Sequence, residues 1–436
     1  MNLNIADKKS SGVEKKILKF PEGFLWGSGT SAHQVEGGCY NDWTQWERTR
    51  AEQQAARGGS TFHMPIDPIL RKQARNPENY KSGKACDQYN RYEEDFDIVK
   101  SLHQSAHRFS LEWSRIEPEE GKFDEKEIEH YQKVVRALRA RGIEPFITLW
   151  HYTTPTWFSQ QGGWINPKAK QQFLRYVAVI TERLKDDVNF WITENEPETV
   201  ARDSYMLGTR PPFKKNIFKA FKALNTLVEA HNDSYDVIHR IDSKAKVGCS
   251  EGLVFFESYN NWPHNLLVKK ILEYWRNGKF IPRIAVKSDF IGLQYYFHSR
   301  IRLHPFKSWK GFQFNDNKKM SDMGWEIYPE GICHILKSLK KYNLPVYITE
   351  NGLADYRDFY RTDFIQDHLK WIHRAINDGV DVRGYFYWSL IDNFEWESGF
   401  WPRFGLVEVD YKTMARKIRP SAYVYAEICK NNQLEI

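Results

Sequence analysis

The sequence predicts an α/β fold: a single (β/α)8 TIM barrel with long βα loops. Eight short apolar, β-branched or aromatic runs recur along 436 residues, each followed by a segment with helical spacing, the alternation of a parallel sheet. That length suits one such barrel. No linker or low-complexity tract divides the chain, and there is no internal repeat beyond the alternation itself.

The strand candidates begin with FLWGSGTSAH from Phe24, AHRFSLEW from Ala106, EPFITLWH from Glu144 and NFWITENEP from Asn189. They continue with KVGCSEG from Lys246, DFIGLQYY from Asp289, PVYITENG from Pro345 and RGYFYWSL from Arg383. Between them, Glu125 to Gly142 and Pro167 to Asp187 carry apolar residues at three- and four-residue steps, and Gly142 is a helix stop. The charged stretch from Glu47 to Gly83, punctuated by Gly and Pro, reads as a long βα loop of the kind that shapes a barrel's pocket. An open doubly wound sheet is the alternative architecture. Against it, the Gly27–Gly29 turn does not complete a G-x-G-x-x-G, and no phosphate-binding G-x-x-x-x-G-K-[ST] occurs, so nucleotide binding has no support.

Hydrophobic residues make up 41% and aromatics 15% of the chain, enough for a large core with rings to spare for a binding surface. The net charge of +7 comes from Lys and Arg dispersed among Glu and Asp, which reads as solvated helix faces and not as a nucleic-acid surface. No 18 apolar residues run together, so no membrane partner is expected. The polar, lysine-rich start lacks the apolar stretch of an export signal; residues 1–18 read as a flexible tail, residues 19–436 as the catalytic barrel, and the location as cytoplasmic. Five scattered cysteines, an odd number with no C-x-x-C pair, read as free thiols in a reducing compartment.

In a parallel barrel, chemistry sits at the carboxyl ends of the strands. There the chain writes Ile-Thr-Glu-Asn twice, in WITENEP closing the fourth strand and YITENG closing the seventh. Pro197 and Gly352 then break the strand geometry. One Glu in such a place can simply cap a helix or pair with an arginine. Two of them facing each other suit glycosidic bond cleavage, in which one carboxyl protonates the leaving oxygen and another traps the oxocarbenium-like centre, with no metal or cofactor.

The chain resembles the β-glycosidases of glycoside hydrolase family 1, from FPEGFLWGSGTSAHQVEGG at Phe20 to RPSAYVYAEI near the C-terminus. The motifs that carry the likeness are HRFSLEWSRIEPEEGKFD, TLWH, NEP, FIGLQYY, ITENG and YWSLIDNFEWESGFWPRFGLVEVDY, the last similar to archaeal-type members. The resemblance implies a retaining exo-β-glycosidase acting on neutral β-glucosides, β-galactosides or β-fucosides, small or oligosaccharide. It assigns the acid/base role to Glu196, the nucleophile role to Glu350, and supporting roles to Arg108, Asn195 and Tyr296. Gln34, His151, Asn195 and Glu395 resemble the hydroxyl-binding set, Trp388 the floor of the sugar site, and Trp396 and Phe404 its wall.

With Arg108 and Tyr296 beside it, Glu350 is expected to stay ionised while Glu196 stays protonated. Three departures from the family pattern stand out. Tyr152 follows His151 where Trp is usual, Gln294 replaces an Asn, and Glu194 stands where an apolar or small residue is usual and is expected to pair with a cation behind the barrel. A binding protein on the same barrel would be expected to have lost one of the two glutamates. A metal-dependent hydrolase would draw on His63, Asp67, His103 or His107, none of which forms an H-x-H or H-E-x-x-H arrangement.

Overall fold

The computed structural model describes residues 16–59, 65, 67–302, 313–314 and 319–436. Its centre is a closed parallel barrel of β1 (Leu25–Gly29), β2 (Ala106–Ser110), β3 (Glu144–Trp150), β4 (Phe190–Asn195), β5 (Lys246–Ser258), β6 (Phe290–Ile301), β7 (Val346–Asn351) and β8 (Val382–Trp388). Each strand pairs in parallel with the next. Gly384 of β8 lies opposite Leu25 of β1, and that pairing closes the ring. All eight coincide with the predicted runs. β5 and β6 extend past theirs as a paired ribbon, and Gln313–Phe314 adds an antiparallel edge to β6.

Short strands close into a barrel here because their inward positions fill the ring. Ala106, Phe146, Ile192, Phe290, Tyr347 and Phe386 form one buried cluster from six strands. Phe146 stacks on Phe190 at 4.1 Å between centroids, and Phe290 meets Tyr347 edge-on at 5.2 Å. Two residues further along β2 and β3, the inward positions turn polar at Arg108 and Thr148. The apolar layer thus forms a floor beneath a polar one.

Around the barrel run helices such as Glu125–Ala140, capped by the Asp124 side chain, and Ala169–Leu184, both inside the predicted segments. The stretch expected as a loop after β1 is largely helical instead, with a helix at Asp42–Arg57, a second at Pro68–Ala74 and a 3-10 turn at Pro77–Tyr80. Asn41 starts the first of these by accepting from the Trp43 and Thr44 amides while Thr44 caps Asn41 in return. Its buried face mixes Trp43, Trp46 and Ala51 with Thr44, Glu47 and Gln54, which hides the amphipathic pattern.

Of the segment 1–18 expected as a tail, residues 1–15 lie outside the described residues. Ile17 and Leu18 belong to a short strand, Ile17–Lys19, paired antiparallel with Gln433–Glu435. Among the described residues no helix is long and apolar enough to cross a membrane.

The loop after β8 carries Glu395, Trp396 and Phe404, and a buried ion pair fixes it. Asp392 accepts from Arg419 on both oxygens, at 2.9 and 2.8 Å, and from the Gly405 amide at 3.0 Å. Burial disfavours its charge, but Arg419 and Arg403 overcome that and hold the carboxyl below its ordinary range. Removing one partner of a buried pair leaves the other uncompensated. Arg419→Leu is therefore expected to cost about 3–5 kcal/mol in denaturant unfolding, and an unfolding midpoint close to wild type would contradict this account of the loop.

Candidate active site

The two Ile-Thr-Glu-Asn stretches lie in opposite phase. In β4, Ile192 belongs to the inner floor and Thr193 bonds His231 on an outer helix at 2.7 Å. In β7, Tyr347 belongs to the floor, and Thr349 points inward to bond Ser250 at 2.9 Å. A one-residue slip sends every side chain of a strand to the other face. Strict alternation from these phases would turn Glu194 inward and Glu350 outward, yet Glu350 enters the barrel mouth and meets Arg108 and Gln294, while Glu194 does not.

Register irregularities between Ile192 and Asn195 and beside Glu350 help to set these directions. Glu196 then takes a left-handed backbone, φ 45°, before Pro197 opens the next short helix, and this turn brings its carboxyl into the mouth. A Cβ on Gly252 of β5 would lie 2.3 Å from Glu196 Oε1, so glycine is required there for the carboxyl to fit. A Gly inside a strand run is the sequence signal for a close approach.

Glu350 is 6% exposed and accepts hydrogen bonds from three side chains. Arg108 and Gln294 (2.7 Å) donate to Oε1, and the Tyr296 hydroxyl donates to Oε2 at 2.8 Å. The expected partners Arg108 and Tyr296 are in place, yet the carboxyl is not held low. Burial pushes it up to about 7; Arg108 and Tyr296 oppose that, and the nearby Glu196 charge adds to it. Glu196 accepts from the Tyr152 hydroxyl, and burial raises its carboxyl too, opposed by that bond and by Arg210.

Asn195 links the site sideways. Its Oδ1 accepts from Arg108 and from Gln294 (2.6 Å), so its amide nitrogen faces His151 Nε2 at 3.1 Å and donates to it. Burial, with Arg108 and Arg210 nearby, keeps His151 neutral. Its proton then sits on Nδ1, which is buried without a protein partner among the described residues. Gln294, a departure expected to alter the hydrogen bonding around Tyr296 or the acid/base, instead donates to Glu350 and Asn195.

Gln34 is fully buried and donates to Asn393 (3.0 Å), the Phe394 carbonyl (2.8 Å) and Glu395 (3.3 Å). Glu395 is pushed up to about 8 by burial and by the charges of Glu397 and Glu350. Trp396 stacks against His151 at 5.8 Å and against His33 at 5.6 Å, and packs on Tyr152 at 4.9 Å. Trp388 lies 6.1 Å from the His151 ring and shares a buried cluster with Trp401 and Phe404, against which Tyr296 packs.

Among the described residues Glu194 has no cation partner. Both its oxygens are buried without a hydrogen bond among the described residues, and burial holds the carboxyl well above its usual range. The residues of a metal-dependent reading do not gather: His63 lies outside the described residues, Asp67 pairs with Arg357, His103 is exposed, and His107 is buried on β2 beside Thr30 and Phe96. His33, Cys39 and Glu112 lie close enough to share an ion, but Asn41, Glu47, Arg115 and Ser114 already occupy their polar atoms.

A buried carboxyl that is neutral when folded and ionised when unfolded destabilises the fold increasingly as pH rises above the unfolded value. Glu194→Gln is accordingly expected to raise the melting temperature, with a larger gain at pH 8 than at pH 5. An equal gain at both would show that Glu194 is not held neutral.

A family model described as Glycosyl hydrolase family 1 matches residues 17–281 and 253–434. A 1,4-beta-D-glucan glucohydrolase of Thermotoga neapolitana is 35% identical, covering 96% of this chain and 100% of that protein. A beta-galactosidase of Pyrococcus woesei is 28% identical over 95% and 97%. Among solved structures, a beta-glycosidase from Pyrococcus horikoshii superposes with a TM-score of 0.84 at 36% identity, covering 96% of both chains. A beta-glucosidase from Thermotoga maritima in complex with glucoimidazole gives a TM-score of 0.84 at 32% identity over 95% and 99%.

Proposed function

The chain belongs to glycosyl hydrolase family 1, and from that premise we propose that it is a retaining exo-β-glycosidase that removes terminal β-D-glucosyl, β-D-galactosyl or β-D-fucosyl residues from neutral glycosides. The observation that carries this reading is the pair Glu350 and Glu196 in one mouth, each buried enough for its charge to matter to the other, with different donors on each. The glucohydrolase and galactosidase names among the relatives support the substrate class.

In the first step a Glu350 oxygen attacks the anomeric carbon, the glycosidic bond breaks, and Glu196 gives its proton to the leaving oxygen. Three donors favour the charge on Glu350, whereas Glu196 has one, so Glu350 ionises and Glu196 keeps the proton. Esterification removes the Glu350 charge. Glu196 is then free to take a proton from water, whose oxygen attacks the anomeric carbon and releases Glu350. This double displacement works with carboxyls roughly 5 to 5.5 Å apart.

The sugar is recognised above Trp388 and beside Trp396 and Phe404, with Gln34 and Glu395 on its outer hydroxyls. Glu395, neutral in the free pocket, can donate as well as accept. The His151 Nδ1–H supplies a further donor, and Asn195 is placed to meet the 2-hydroxyl while it holds Arg108 and His151 in line.

Glu350→Gly is expected to abolish turnover of an aryl β-glucoside. Glu196→Ala should lose about 10²–10⁴-fold with a poor leaving group, with azide restoring turnover when the leaving group is good. Full activity in Glu350→Gly would overturn the reading. Because Glu350 must be ionised, the acidic limb of kcat/KM should rise with pH around a midpoint displaced from 4.5 toward about 7. A limb at the ordinary carboxylate value would contradict the burial argument.

A further inference from the structure

We propose that Tyr152 is a positioning residue for the acid/base: its hydroxyl holds one oxygen of Glu196, so that the other presents the proton to the leaving oxygen. The inference rests on the retaining-glycosidase reading and adds to it a residue that governs dependence on the leaving group. Tyr152 follows β3 with a left-handed backbone, φ 71°, an unusual conformation for a bulky side chain. Its surroundings fix that geometry. Trp396 packs on one side at 4.9 Å, His151 meets it edge-on at 5.1 Å, and the Arg210 guanidinium lies 5.3 Å over the ring.

From there the hydroxyl donates to Glu196 Oε2, while Oε1 lies over the space that Gly252 leaves open. The charged and titratable groups around Glu196 include Arg202 and Asp203 on the segment after it, Arg210 on the following loop, Glu251 on β5, Tyr296 on β6 and Glu350 on β7. Among the described residues, Tyr152 is the side chain that donates a hydrogen bond to Glu196. A donor on Oε2 stabilises the ionised form and fixes the carboxyl plane, and the two effects leave different kinetic marks.

Tyr152→Phe removes the hydroxyl alone. The test compares an alkyl β-glucoside with a 2,4-dinitrophenyl β-glucoside across pH, alongside thermal unfolding. For the alkyl glucoside, whose leaving oxygen needs the proton, kcat/KM should fall about tenfold. For the dinitrophenyl glucoside it should stay within about twofold. The alkaline limb, where Glu196 loses its proton, should move up by about one pH unit.

Tyr152→Leu, which keeps apolar bulk but has no donor, should show the same split if Tyr152→Phe does not fold. Equal losses on both substrates, or an unmoved alkaline limb in the folded variant, would reduce Tyr152 to packing and overturn the inference with the glycosidase reading intact. A wild-type chain that turns over neither glucoside would overturn that reading, and the inference with it.

Discussion

The guanidinium of Arg108 ties the mouth of the barrel together. From β2 it donates to Thr148 on β3, Asn195 on β4, and both the Thr349 carbonyl and Glu350 on β7. At 1% exposure such a charge persists only when its donors are matched by acceptors. The requirement runs both ways, because Glu350 and Asn195 are oriented by the donor they satisfy. Asn195 passes the constraint on to His151, and Gln294 closes the circuit between Asn195 and Glu350.

Beneath this layer the aromatic floor excludes water and lowers the local dielectric. That accounts for a nucleophile candidate near 7 despite an arginine partner: burial is the largest influence on Glu350, and the hydrogen bonds only partly offset it. The same environment keeps His151 neutral and Glu395 protonated in the free pocket. One physical cause thus places His151 and Glu395 in protonation states that a sugar's hydroxyls can use.

The barrel was legible in the sequence because strands buried on both faces read as continuous apolar runs, and all eight of those runs became strands. The two carboxylate motifs were legible for the same reason, since each closes such a run. What the letters could not show was phase. Ile-Thr-Glu-Asn occurs twice, but Glu350 faces the mouth and Glu194 does not, a difference that irregular pairing sets against the regular alternation of both strands. Glu196 reaches the mouth through a left-handed residue, and Tyr152 reaches Glu196 through another, conformations that residue identity does not announce outside Gly and Asn. The helix at Asp42–Arg57 escaped for a different reason. Its buried face holds Thr44, satisfied by the local cap at Asn41, and Glu47 and Gln54, satisfied by tertiary partners, side chains that a periodicity argument counts as solvent-facing.

The central claim is that Glu350 forms a covalent bond with the sugar while Glu196 moves protons. Incubation with a 2-deoxy-2-fluoro-β-glucosyl donor bearing a good leaving group, followed by proteolysis and mass spectrometry, tests it most directly, because the fluorine slows release of the intermediate. The account predicts a single fluoroglucosyl adduct on the peptide containing Glu350. An adduct on Glu196, or rapid turnover to the inverted anomer with no adduct, would contradict it.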